Sequence, residues 1–144
     1  MTYDEWEATV PAEIKADLVW RVQAYRLGSY LAACADHDSR ALATDARLVA
    51  TAAQLFKAAG SVPANIAEGY SRLSTRDRVR YYEYALGSAA EARTWYVAMR
   101  DTLGAGPLAE RVATLRSITR LLLTMIRSGR ATKTNATPAD VPNR

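Results

Sequence analysis

Apolar residues recur at intervals of three and four over four long segments of this chain, and this spacing limits the fold more than any other feature. The interval matches the α-helical repeat, in which such positions share one face. Helix 2 is predicted to begin between Ser39 and Asp45. That helix is predicted to end at Gly69. The other three predicted helices span about Ala12–Ala35, Thr75–Gly104 and Pro107–Gly129.

The composition agrees with a compact helical protein. The chain has 144 residues, of which 49% are hydrophobic, with only 7 Gly and 5 Pro, and this length fits one domain. We therefore predict an all-α fold in which residues 12–129 form an antiparallel up-down four-helix bundle. Residues 1–11 are predicted to be an acidic N-terminal arm, and residues 130–144 a disordered polar tail.

Several function classes are disfavoured by what the sequence lacks. Cys34 and His37 are each the only residue of their type, so an internal disulfide and a histidine-based metal cluster are not expected. No nucleophile has a base at usable spacing, and there is no glycine-rich phosphate loop. We predict a protein without catalytic residues, metal or cofactor. No signal peptide or membrane span is predicted, and the cytoplasm is the expected compartment.

The most unusual stretch is Gly60–Gly69, where Pro63 and several polar residues interrupt an apolar run. On a helix, Ser61, Asn65 and Glu68 share one face. Buried polar groups need partners, because leaving each one unpaired costs roughly 2 kcal/mol or more. A structural polar network is favoured over a ligand site. Its predicted members are Ser61, Asn65, Glu68, Ser88 and Glu91.

The third predicted helix carries two neighbouring stripes of apolar and aromatic residues. One stripe suffices for packing inside a monomer. The helix is therefore either deeply buried or in contact with another subunit, where Tyr and Trp are enriched. In the second case the predicted interface residues are Tyr81, Tyr84 and Trp95.

Charge is distributed unevenly along the chain. Residues 1–70 hold 6 basic and 9 acidic residues, and residues 71–144 hold 13 and 6, so the halves carry −3 and +7. From Arg111 to Lys133 there is no acid. A solvated basic face is the ordinary explanation, but arginine is also suited to bidentate phosphate binding. The candidate nucleic-acid-binding residues are Arg72, Arg76, Arg78, Arg80, Arg116, Arg120, Arg127 and Arg130.

Two segments together carry a combined motif. The first is Ser61–Gly69, with Gln54 and Lys57–Ala59 just before it, and the second is Ala85–Glu91. They resemble the bacterial four-helix-bundle family that includes the proteins encoded in 23S ribosomal RNA intervening sequences. That family is related to the accessory proteins of diversity-generating retroelements. The resemblance covers about residues 18 to 127 and departs from the family pattern at Phe56, where a basic residue is usual.

The resemblance implies a homopentameric ring in a prokaryotic cytoplasm that binds nucleic acid and associates with a reverse transcriptase. Together with the arginines it predicts a non-enzymatic accessory protein that binds RNA or DNA, because a ring multiplies the basic patch. The alternative is a protein interaction scaffold whose arginines meet acidic protein surfaces. An enzyme is the third and least favoured class.

Overall fold

The computed structural model describes residues 1–134 and the side chains of residues 1–132. Within that range the chain forms helices and no strand, which confirms the predicted all-α class. A 3-10 turn at Leu18–Arg21 lies between the second and third α-helices. The α-helices are α1 (Tyr3–Thr9), α2 (Ala12–Lys15), α3 (Gln23–Leu42), α4 (Val49–Ser71), α5 (Thr75–Ala98), α6 (Arg100–Leu103) and α7 (Ala105–Thr134).

The four long helices enclose one apolar core. Helix α3 contacts α4, α4 contacts α5, α5 contacts α7, and α7 contacts α3 in turn. Each contributes its apolar stripe, and many of the core residues are alanines, which allow neighbouring helices to approach closely. The largest fully buried side chains are Tyr96, Leu31, Leu55, Ile66, Met99, Leu115, Ile118, Leu122 and Val62.

The first predicted helix is wrong at both ends. Instead of one helix over Ala12–Ala35, the chain forms α2, the 3-10 turn and then α3 from Gln23 to Leu42. The polar stretch 36–39, predicted to be a break, lies inside α3. It stays helical because Asp38 and Ser39 are buried with partners, and the Ser39 hydroxyl donates a hydrogen bond to the carbonyl of Ala35.

A buried ion pair links α3 to α7. Nε of Arg111 donates to Oδ2 of Asp38 at 2.8 Å, and Nη2 of Arg111 donates to Oδ1 at 3.3 Å. The Tyr96 hydroxyl, from α5, also donates to Oδ2 of Asp38 at 3.1 Å. Burial opposes the charge of Arg111, but its hydrogen bonds to Asp38, together with Coulombic attraction to Asp38, Cys34 and Tyr96, outweigh that effect and raise its pKa. Burial and the Asp38 carboxylate also raise the pKa of Tyr96, so the phenol remains a donor.

The predicted N-terminal arm is instead a short helix that packs on α3. Thr2 caps α1, because its hydroxyl accepts from the Glu5 N–H while the Glu5 carboxylate accepts from the Thr2 N–H. The Trp6 ring stacks on Trp20 with centroids 6.0 Å apart, and it lies 5.6 Å from the ring of Tyr30. These aromatic contacts hold the arm against the rest of the chain.

The remaining boundaries follow the prediction more closely. Helix α5 begins at Thr75 as predicted, because the Ser74 hydroxyl accepts a hydrogen bond from the Asp77 N–H. Helix α4 begins at Val49, later than predicted, and passes through Pro63 to Ser71. The tail predicted to be disordered from residue 130 is helical over 130–134, and residues 135–144 lie outside the described residues. In the described part of the chain, no helix is long and apolar enough to span a bilayer.

We expect Asp38→Ala to lower the free energy of unfolding by about 3–5 kcal/mol, because Arg111 would stay buried without its partner. Urea denaturation followed by circular dichroism measures this change. The matched control is Asp36→Ala on the same helix, which removes an exposed ion pair with Arg40 and should cost less than about 1 kcal/mol. Equal losses of stability in the two variants would contradict a buried, stabilising role for Asp38.

Candidate functional site

Most of the candidate arginines lie at one end of the molecule. The connection between α4 and α5, residues 72–74, lies there, and the last turns of α7 pack against the first turns of α5. A Cβ atom built on Gly129 would lie 2.5 Å from Cγ2 of Val79, so a glycine is required for this approach. We call this region the basic end, and its arginines are Arg72, Arg76, Arg78, Arg80, Arg127 and Arg130.

Two arginines of the basic end hold the α4–α5 connection together. Arg72 pairs with the Glu68 carboxylate and donates to the Tyr81 hydroxyl at 3.0 Å, and its guanidinium lies 4.8 Å from the centroid of the Tyr81 ring. Arg78 donates from Nη2 to the carbonyl of Arg72 at 3.1 Å. Both side chains are half-buried. Arg72 and Arg78 therefore have a structural role as well as a positive charge.

Two further arginines are exposed but anchored. Nε of Arg80 donates to the Tyr84 hydroxyl at 2.8 Å, a contact that raises the pKa of Arg80. Arg130 of α7 forms an ion pair with Glu83 of α5. These contacts hold each side chain at a defined place while leaving guanidinium donors available to an anion.

The side chains of Arg76 and Arg127 are exposed, and neither side chain makes a hydrogen bond or ion pair with the described side chains of residues 1–132. The same holds for Arg116 and Arg120, but these two lie outside the basic end. Arg116 is 14 residues before Arg130 on α7, which corresponds to about 21 Å along the helix axis. The structure therefore brings six of the eight candidates together and leaves Arg116 and Arg120 farther along α7.

Arg111 does not belong to a solvated basic face. In the sequence it stands at the start of an acid-free stretch, but its side chain is buried against Asp38 of α3. A signal for this pair exists in the sequence. Arg111 shares the core spacing of Leu115 and Ile118, and Asp38 shares that of Leu31 and Leu42, so opposite charges occupy core positions on two helices.

The α4 part of the predicted polar network bonds within its own helix. The Ser61 hydroxyl donates to the carbonyl of Lys57 at 2.8 Å, and Nδ2 of Asn65 donates to the carbonyl of Ser61 at 2.9 Å. Glu68 is exposed and reaches α5 only through Arg72. Within residues 1–132, these three side chains make no buried hydrogen bond to a neighbouring helix, because it is the adjacent face of α4 that packs into the core.

The α5 members of that network are similarly local. The Ser88 hydroxyl donates to the carbonyl of Tyr84 at 3.0 Å, and the exposed Glu91 carboxylate accepts from Nε1 of Trp95 at 3.3 Å. Glu68 and Glu91 are both exposed. These two carboxylates therefore do not meet in the core, and Glu68 pairs with an arginine instead.

The three predicted interface residues lie on the surface of α5 to different extents. Tyr84 is 46% exposed, whereas Tyr81 and Trp95 are half-buried. The rings of Tyr81 and Tyr84 meet edge to face, with centroids 5.5 Å apart. All three leave aromatic surface at the outside of the molecule.

The described residues provide neither a metal-binding cluster nor a reactive cysteine. Among the described residues, no group of three or more His, Cys, Asp or Glu side chains is placed to hold a metal ion. Cys34 is buried, and burial raises the pKa of its thiol. A reactive cysteine has the opposite properties, namely an exposed position and a lowered pKa.

These features define an all-helical protein with one basic end. The model of the 23S rRNA-intervening sequence protein family matches residues 37–127, and the chain belongs to that family. This confirms the family predicted from the sequence motif. The relation to retroelement accessory proteins stays a prediction. The matched region begins inside α3, so α1, α2 and the 3-10 turn precede it.

A solved structure supports the fold. The chain is similar to a crystal structure of a protein of unknown function from the S23 ribosomal protein family of Bacteroides thetaiotaomicron VPI-5482. The TM-score is 0.68 at 19% sequence identity, and the match covers 72% of this chain and 98% of that one. No curated protein matches the chain.

The close contact of α5 and α7 can be tested with two glycine variants. Gly129→Ala should lower the free energy of unfolding by about 1–3 kcal/mol, because its Cβ would overlap Val79. Gly87→Ala, on an exposed face of α5 with no atom near its Cβ, should raise it by about 1 kcal/mol through helix propensity. Thermal and urea unfolding measure both changes. A stabilising Gly129→Ala would contradict the close approach that forms the basic end.

Proposed function

We propose that this protein is a non-enzymatic nucleic-acid-binding protein that contacts RNA or DNA phosphates through its basic end. One observation carries the proposal. The contact between α5 and α7 places Arg76, Arg80, Arg127 and Arg130 in one exposed region, although they lie up to 54 residues apart in the sequence. Two are anchored and two have no partner among the described residues, so all four can bind a phosphate without disturbing the core.

The physical basis is electrostatic. Arginine binds phosphate bidentately, and several arginines in one region release counterions from the nucleic acid on binding. Such contacts position a protein on the backbone and do not read sequence directly. We therefore expect binding that is strong at low salt and nearly independent of sequence.

We further propose that α3, α4, α5 and α7 form the antiparallel up-down bundle, because the connections 43–48 and 72–74 are too short for parallel neighbours. The proposed functional unit is a homo-oligomeric ring, a pentamer as the resemblance implies, with Tyr81, Tyr84 and Trp95 between subunits. A ring would present several basic ends to one polyanion. The reverse transcriptase implied by the resemblance stays a prediction.

A protein interaction scaffold is the second candidate. A groove of about 520 Å³ between α5 and α7 is lined by Leu86, Ala90, Val97 and other side chains, and Val97 is 43% exposed. Exposed apolar surface of this kind suits a protein partner. Under this alternative the arginines would meet acidic protein groups, and the purified protein would show no affinity for nucleic acid.

Nucleic-acid binding can be tested with two charge-matched double variants. Arg76→Gln with Arg127→Gln removes two partnerless charges from the basic end. Arg93→Gln with Arg116→Gln removes two partnerless charges from the same helices at a distance from that end. Affinity for a labelled structured RNA is measured by fluorescence anisotropy at several salt concentrations. The first variant should flatten the slope of log affinity against log salt by about 0.7–0.9 for each phosphate that it no longer neutralises, and the second should leave the slope nearly unchanged.

A wild-type protein without RNA or DNA affinity would refute the proposal and favour the scaffold. An equal change of slope in both variants would place the phosphate contacts along the whole of α7, with Arg116 and Arg120 included. Circular dichroism should show that all variants fold, because none of the four substituted arginine side chains has a hydrogen-bond or ion-pair partner among the described side chains of residues 1–132.

The proposed assembly depends on aromatic side chains of α5. Tyr84→Ala with Trp95→Ala should convert the oligomer to a monomer, because aromatic anchors dominate interface energetics. Sedimentation velocity at micromolar concentration measures the change. Val97→Ala is the control, since it truncates an exposed apolar side chain on another face of α5. A wild-type protein that sediments as a monomer would contradict the ring.

A further inference from the structure

A partly open cavity lies within the basic end. It has a volume of about 300 Å³ and lies between the start of α5 and the end of α7. Val79 and Gly129, at which the two helices are in close contact, form its apolar lining. Its charged lining consists of Arg76, Arg80, Glu83 and Arg130, and the Thr75 side chain adds a hydroxyl.

The charge of this cavity suits a doubly charged anion. Three guanidinium groups and one carboxylate leave a net charge of +2. The carboxylate of Glu83 is already paired with Arg130, and Arg80 is anchored by the Tyr84 hydroxyl. Arg76 has no partner among the described residues. The cavity therefore combines two anchored arginines with one that has no partner, and the charges of Arg76 and Arg80 are not neutralised by a carboxylate of the lining.

The charge and volume of the cavity favour one kind of phosphate over another. Phosphates within a strand carry one charge each and are flanked by two sugars, which suits an open surface. A terminal phosphate monoester projects from the end of the strand and carries about −1.5 to −2 at pH 7. A volume of about 300 Å³ is at the small end of ligand pockets, with room for such a group.

We propose that this cavity binds the terminal phosphate monoester of a nucleic-acid strand. The proposal rests on the proposed function and goes beyond it, since it assigns recognition of a strand end to Arg76, Arg80 and Arg130. The remaining arginines of the basic end contact the backbone that leads away from the terminal phosphate. A free nucleoside monophosphate offers the same chemistry, and competition distinguishes it from a strand end.

The test compares single strands of one sequence that end in a 5′-phosphate, a 3′-phosphate or hydroxyl groups alone. A hydroxyl-ended strand about two nucleotides longer matches the charge of the phosphorylated strands. We expect at least one phosphorylated strand to bind about tenfold more tightly than the charge-matched strand, as for one added charge-assisted contact. Arg76→Gln should abolish this preference. Arg116→Gln, which removes the same charge from an exposed part of α7, should keep it.

A second readout uses pH. The second ionisation of a phosphate monoester has a pKa of about 6, whereas arginine stays protonated. The monoester is a dianion above that pKa and a monoanion below it. The preference for the phosphorylated strand should therefore be full at about pH 7.5 and decline towards about pH 5, with no such decline for hydroxyl-ended strands.

The outcomes separate the two proposals. No binding of any strand would refute nucleic-acid binding itself. Equal affinity for phosphorylated and charge-matched hydroxyl strands would refute only the strand-end site, as would an Arg76→Gln variant that keeps the preference. Displacement of the phosphorylated strand by adenosine monophosphate at concentrations near the dissociation constant of the strand would identify a free mononucleotide as the ligand and overturn the strand-end assignment.

Discussion

The buried pairing of Asp38 with Arg111 is the constraint on which the rest of the fold depends. It connects α3 to α7 across the core, and the Tyr96 hydroxyl of α5 donates to the same carboxylate. A buried ion pair contributes little net stability compared with apolar residues of the same volume, but a mispaired one is costly. The pair therefore penalises any register of α7 that separates Arg111 from Asp38. A fixed register of α7 also determines where its distant C-terminal turns lie.

At those turns, helix packing brings arginines from separate parts of the sequence together in the basic end. The two arginine-rich segments, near residues 72–80 and 116–130, are separate in the sequence, and the packing of α7 on α5 around Gly129 and Val79 brings parts of them together. The helices approach because a side chain is missing at one position. The Arg130–Glu83 ion pair then lies directly beside this contact and links the same two helices. Apolar packing and surface charge thus act together at one end of the molecule.

The sequence predicts correctly those features that depend on residues close together in the chain. The start of α5 at Thr75 follows from a cap between Ser74 and Asp77, three positions apart, and the apolar stripes of α4, α5 and α7 follow from helical spacing. Two of the failures share one cause, which is a partner far away in the chain. The sequence suggests a helix break at Asp38, because the partner that keeps this residue helical lies 73 residues later. Similarly, it suggests a loose arm in place of α1, because the Trp20 and Tyr30 rings that hold α1 belong to later elements.

The same limit applies to the candidate site, because the sequence shows which residues are charged but the structure shows which partners they have. The sequence supplies eight candidate arginines but cannot say which are already engaged. The structure separates Arg72 and Arg78, which hold the connection between α4 and α5, from Arg76 and Arg127, which have no partner among the described residues. Loss of Arg72 would disturb the fold as well as the charge, whereas loss of Arg76 would remove charge alone. A basic surface built in this way can change its ligand preference through the partnerless arginines while the anchored ones preserve the helix contacts beneath them.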